Sequence, residues 1–149
     1  MLFGGNTSER NALAANLKAN FKAGDLTAAF YWGYLNWIEG ERITDTKTEP
    51  MRNYQSEKFK EAYSGFSSAS DGGVAAASWN IAVMYEQGHG LTRSKLAAAE
   101  WYAKASRQYL KEGEREKALA ALEHIEEIDP KHTEAIKLRA ILYQTSKRK

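Results

Sequence analysis

Apolar side chains recur along the chain at spacings of three and four residues, the pattern of helices that turn one face inward. Leu13, Leu17 and Phe21 form the first such stripe, behind Thr7 or Ser8 as the capping residue and Glu9 in the first turn. Gly24 ends this helix, and Asp25 caps a second predicted over 26–39 and closed by Gly40. The apolar residues of the second helix, from Leu26 through Phe30, Tyr31, Trp32, Tyr34, Leu35 and Trp37 to Ile38, cover more than one face. It is therefore expected to be buried on several sides. Residues 41–55 are polar, contain Pro50 and read as a loop. A third helix is predicted near 56–70, with Phe59, Ala62, Tyr63, Phe66 and Ala69 on its apolar side. Further helices follow at about 74–87, 93–112, 114–128 and 132–146, separated by Gly88-His89-Gly90, Gly113 and Asp129-Pro130. Seven helices joined mostly by short turns make an all-α chain of antiparallel neighbours.

Composition sharpens this picture. Among the 149 residues are 23 Ala but only 2 Val, which disfavours a sheet and favours closely packed helices. Leu, Ile, Val and Phe are few, yet 17 aromatic residues and a net charge of +2 separate the chain from disordered sequences. With no Cys there is no disulfide framework, Cys-ligated zinc or thiol nucleophile. No apolar run approaches the length of a membrane span, so no membrane insertion is expected. A charge of +2 is too weak to predict nucleic-acid binding. The first residues lack the basic and apolar regions of a signal peptide. If Met1 is the native start, a cytoplasmic location is expected; if a signal segment has been removed, a periplasmic or secreted one.

The helices also repeat. Ala62, Phe66, Ala69 and Ser70 match Ala98, Tyr102, Ala105 and Ser106 at an offset of 36 residues, and Ala118, Leu122 and Ile125 continue the spacing. Tyr31, Leu35, Trp37 and Gly40 match Trp79, Val83, Tyr85 and Gly88 at an offset of 48. The difference falls in 41–55, which reads as an insertion in the first hairpin. It is either a second contact site, carrying Arg42, Arg52 and Tyr54, or a tolerated insertion. A two-helix unit with a period in the mid-thirties marks an α-solenoid.

The stretch Ile81–Leu91 with its Gly88-His89-Gly90 turn, followed by Ala98, Trp101-Tyr102, Lys104 and Ala105, resembles a Sel1-like repeat. Residues 25–72 resemble a degenerate copy, since Gly40 is followed by Glu41-Arg42 rather than completing a Gly-x-Gly turn. Tyr102, Tyr109, Gly113, Ala118, Leu122 and Pro130 fall at the spacings of a tetratricopeptide repeat. The resemblance implies a single helical-repeat domain over 1–149. Its parts are a capping helix (1–24), a degenerate Sel1-like repeat (25–72), a Sel1-like repeat (73–106) and a tetratricopeptide-like repeat with a terminal helix (102–146). The fifth helix would serve both repeat types as one long element. Many such proteins are bacterial, and both families act as protein-binding scaffolds without catalytic residues.

The same resemblance places ligand-facing positions around Trp37, Tyr85, Tyr109 and Tyr143. Those proposed for partner contact are Tyr31, Leu35, Ile38, Trp79, Val83, Glu86, Arg107, Lys111, Lys137 and Gln144. They would form a groove apolar at its N-terminal half and basic at its C-terminal half, suited to a peptide or partner protein. Tyr31 and Trp79 carry two readings, as anchors for a partner or as core. No catalytic constellation or cofactor motif stands out. His89 reads as a turn residue, and His124 with Glu127 makes only half of a metal pair, better explained as helix surface. The alternative to a binding scaffold is a structural or regulatory subunit that forms a homodimer through its terminal helix, where Ile136, Ile141 and Leu142 leave apolar surface.

Overall fold

In the computed structural model, which describes residues 6–146, the chain forms seven α-helices and, among the described residues, no strand. They are α1 (Thr7–Lys22), α2 (Leu26–Glu41), α3 (Glu49–Asp71), α4 (Ala75–Gln87), α5 (Lys95–Glu112), α6 (Arg115–Ile128) and α7 (Thr133–Ser146). The basic end at Lys147-Arg148-Lys149 and the first five residues lie outside the described residues. The chain gathers into two compact units, Met1–Gly72 and Gly73–Lys149. The division falls where the first and second hairpins of the expected repeat domain were to meet.

Local chemistry accounts for the helix ends. The α1 cap is Asn6, just before the expected Thr7 or Ser8: its side chain accepts from the Glu9 N–H at 3.0 Å while the Glu9 side chain accepts from the Asn6 N–H. Asp25 caps α2 by accepting from Ala28 at 3.0 Å, as expected. Ser94 caps α5. Gly88 and Gly113 close α4 and α5 in the left-handed conformation, with φ of 77° and 78°. Helix α5 runs unbroken through Arg107, as the shared-helix reading requires.

The segment 41–55 differs from its expected loop. Helix α3 begins at Glu49, so only residues 42–48 remain outside helix. Pro50 sits in the first turn of α3, where a missing N–H costs no hydrogen bond, so it starts the helix instead of interrupting it. From the next two turns Arg52 donates to the carbonyls of Thr46 (2.9 Å) and Lys47 (3.0 Å), and Gln55 donates to those of Gly40 (3.1 Å) and Ile43 (2.8 Å). Of the residues offered as a second contact site, Arg52 is thus committed to holding the connection, while Tyr54 is exposed with Lys58 over its ring.

In the first unit α2 and α3 form a close hairpin. Its core is Ala28, Ala29, Trp32 and Leu35 of α2 with Phe59, Ala62, Phe66 and Ala69 of α3. Gly33 and Gly65 allow backbones to meet: a Cβ on Gly65 would stand 2.5 Å from the Ala29 carbonyl oxygen and 2.6 Å from the Gly33 nitrogen. Helix α1 packs on α2 with Leu13, Leu17 and Phe21 only half-buried. In the second unit α5 lies between α4 and α6, and α7 packs on both α5 and α6. The core there runs from Ala75 and Ala82 through Ala98, Tyr102 and Ala105 to Ala118, Leu122, Ile125, Leu138 and Leu142.

Candidate functional site

In the first unit α2 presents two surfaces. Ala28, Ala29, Trp32, Leu35 and Asn36 form its buried face. Around its flank Phe30, Tyr34 and Trp37 follow at i, i+4 and i+7 and remain partly exposed. The rings of Phe30 and Tyr34 stack at 6.3 Å between centroids, Tyr34 lies 6.0 Å from Trp37, and Phe30 rests on the buried Phe66 ring at 5.8 Å. Tyr31 meets Phe30 edge-on at 5.5 Å. The row is continuous and apolar, anchored at one end in the core.

The opposite side of this unit has a polar recess of about 180 Å³ between Lys18, Trp32, Asn36, Tyr54, Lys58 and Glu61. Its groups largely satisfy one another. Trp32 Nε1–H donates to Glu61 at 3.0 Å, and Lys18 Nζ pairs with the same carboxylate at 3.3 Å while lying over the Trp32 ring. Lys58 pairs with Glu39 at 2.7 Å and donates to Asn36 Oδ1 at 3.3 Å; Asn36, 1% exposed, donates in turn to the Trp32 carbonyl. Burial lowers the Lys58 pKa, but the hydrogen bond and charge of Glu39, with Tyr54, more than offset it and leave it raised. These bonds tie α1, α2 and α3 together.

In the second unit Trp79 lies edge-on to Tyr102 and to His124, at 5.1 Å from each ring, and His124 stacks on Tyr102 at 4.7 Å. The Tyr102 hydroxyl donates to Glu86 at 2.8 Å. Burial, then this bond and the carboxylate charge, hold the Tyr102 pKa well above its ordinary value. On α5, Lys104 covers the Trp101 ring at 4.7 Å and Arg107 pairs with Glu134 of α7. His132 caps α7, accepting from the Ala135 N–H through Nδ1, while its Nε2 lies 3.1 Å from Glu100.

The expected partner-facing positions therefore divide. Leu35 is 5% exposed and packs in the hairpin core, so its side chain does not line a groove. Tyr31 and Ile38 are half-exposed on α2. Trp79 and Val83 pack against the core of the second unit, favouring the structural reading of Trp79. Glu86 is held by Tyr102, and Arg107 is neutralised by Glu134. Lys111, Lys137 and Gln144 stand exposed. Phe30, Tyr34 and Trp37 were not singled out as a contact row, although their spacing marks one. His124 is part of a ring stack, not a solvated face. Among the described residues no three His, Asp or Glu side chains gather as metal ligands would, and no helix is long and apolar enough to cross a membrane.

No protein-family model, curated protein or solved structure matches this chain. The likeness to Sel1-like and tetratricopeptide repeats therefore rests on the motif residues quoted above.

Proposed function

We propose that the chain is a non-catalytic helical-repeat module, a short solenoid of the tetratricopeptide type, that binds a peptide or partner protein. The observation that carries this reading is the ring row Phe30, Tyr34 and Trp37 on α2, which stays partly exposed beside a complete buried face. One end of the row rests on the core through Phe30 and Phe66, and partly exposed aromatic surface of this kind is where binding energy concentrates. Tyr31 and Ile38 border the row and extend its apolar area. The partner is a polypeptide with an apolar face of two or three bulky side chains.

Affinity capture compared between wild type and a Tyr34→Ser, Trp37→Ser double variant tests the reading. The double variant is expected to keep its helical circular dichroism and to lose the polypeptide that wild type retains. Equal retention by a folded double variant would remove the row from the binding role.

A second reading, self-association through the terminal helix, is favoured by a separate observation. Ile136 and Tyr143 of α7 are 58% and 62% exposed, although the other side of that helix is core.

A further inference from the structure

Helix α1 is held differently from the others. Among the described residues it buries no side chain, whereas every other helix buries three or more. Leu13, Leu17 and Phe21 are half-buried in one stripe. Lys18, beside Leu17, reaches Glu61 of α3 at 3.3 Å and lies 5.1 Å from the centre of the Trp32 ring. Both ends of this pair are partly exposed, so it is a weak link. Nearer the start of α1, Arg10 Nε is shielded from water with no acceptor, which is unfavourable. The surface beneath α1 is built without it. On α2, Ala29, Gly33 and Gly40 face α3, while Ala28, Trp32 and Leu35 stand roughly a third of a turn further round, on the side where Lys18 lies. Trp32 is held by its own bond to Glu61, Asn36 by Trp32 and Lys58, and α2 keeps its cap at Asp25. The connection from α1 turns at Gly24, whose φ is 92° and where an added Cβ would meet nothing within 4 Å, so no packing resists its movement.

We propose that α1 is a displaceable strap over an acceptor groove on the α2–α3 hairpin, and that the groove takes an amphipathic helix of a partner protein with the chemistry of α1 itself. That chemistry is bulky apolar residues four apart with a lysine beside the central one. The partner's apolar residues take the places of Leu13, Leu17 and Phe21 on α2, and its ammonium takes that of Lys18 between the Trp32 ring and Glu61. A ring face and a carboxylate together favour a cation. Glu57, one turn before Glu61 and lining the same recess, adds to the negative potential, while Lys58 there is already paired with Glu39. Because the partner must displace α1, its apparent affinity is the intrinsic one scaled by the fraction of chains whose α1 is released. The groove lies on the side of α2 away from the Phe30, Tyr34 and Trp37 row, so it is a second, gated contact surface that does not depend on that row.

The test uses a fluorescein-labelled peptide of residues 6–23 added to the full chain, with hydrogen exchange mapped on the chain alone. Helix α1 is expected to exchange through an opening of lower free energy than the one that releases α2 and α3. Lys18→Glu in the chain is expected to speed exchange in α1 and to tighten peptide binding about fivefold, because it frees the groove. A Glu61→Lys chain should instead bind a peptide carrying Lys18→Glu better than the natural peptide, reversing the preference of the Lys18→Glu chain. Should Glu61→Lys lose its helical circular dichroism, Glu61→Gln is read in its place: its amide oxygen still accepts from Trp32, and the preference for the lysine peptide should vanish. The Tyr34→Ser, Trp37→Ser chain should bind the peptide as wild type does; loss of binding there would move the peptide to the ring row and overturn the groove. Exchange of α1 only together with α2 and α3, no binding of either peptide by the Lys18→Glu chain, or one peptide preference shared by the Lys18→Glu and Glu61 variants would each overturn the proposal.

Discussion

At the scale of single residues, the contact between Gly33 and Gly65 sets how closely α2 and α3 approach. Glycine inside a helix costs about 1 kcal/mol relative to alanine, so two facing glycines need a return from packing. That return is visible in what a methyl group would strike at Gly65: the Ala29 carbonyl and the Gly33 backbone, neither of which can rotate away. Gly65→Ala is expected to destabilise the protein by about 1–3 kcal/mol or more, as overpacking does. Gly72→Ala is the control. Its methyl would meet only the Leu26 side chain, which is flexible and partly exposed, and a change within about 0.5 kcal/mol is expected. Urea unfolding of the two variants against wild type measures both. The apolar stripes of α3, α5 and α6 could be read from spacing alone, and Phe59, Ala62, Phe66 and Ala69 are buried as their pattern requires. The glycine contact could not, since its cause is the backbone of another helix. Nor could the fates of Arg107, paired with Glu134, and of Glu86, bonded by the Tyr102 hydroxyl, since both partners arrive from elsewhere in the chain.

At the scale of elements, the lesson lies in the connection between α2 and α3. Its polar composition and Pro50 suggest a long loop, yet periodic contacts are needed only once a helix meets a neighbour. Residues 49–55 of α3 are mostly exposed and so carry no hydrophobic stripe to be read. The remaining connection is held by side chains of α3 rather than by apolar burial. Gln55 alone satisfies two carbonyls. Gln55→Ala is expected to cost about 1–2 kcal/mol, from a part-buried amide bonded at both acceptors. It should also speed hydrogen exchange in 41–48 while leaving α5 and α6 unchanged. An exchange map altered equally across all helices would show that Gln55 supports more than this connection. The left-handed glycines at 88 and 113 were legible, because the α-helical pattern on either side demands a stop that only such a residue supplies cheaply.

At the scale of the whole molecule, each compact unit has its own apolar interior, and the core cluster of the second draws only on Ala75–Leu142. Residues 73–149 expressed alone are therefore expected to give a helical spectrum and a cooperative, though shallow, thermal transition, as a domain of this size affords little surplus stability. The molecule also has a shared electrostatic vulnerability. Tyr102 is pushed up by burial and then by Glu86. Tyr109 is pushed up by burial and then by Glu112 and Glu114. Lys58 is held up by Glu39 and Tyr54 against its desolvation. A group whose folded pKa exceeds its unfolded one keeps its proton in the folded state after the unfolded chain has released it. Raising the pH through that interval then draws the chain toward the unfolded state. Stability should accordingly be insensitive to these three groups below pH 10.0, the ordinary tyrosine value, and fall above it. Each such proton contributes a slope of about 1.4 kcal/mol per pH unit once the unfolded group is fully ionised. Tyr102→Phe loses a hydrogen bond to Glu86 and is less stable at neutral pH, yet its alkaline decline should be shallower by one proton. Denaturant titrations of wild type and Tyr102→Phe at neutral and strongly alkaline pH read that difference directly; parallel declines would mean that Tyr102 ionises as readily in the folded protein as in the unfolded chain.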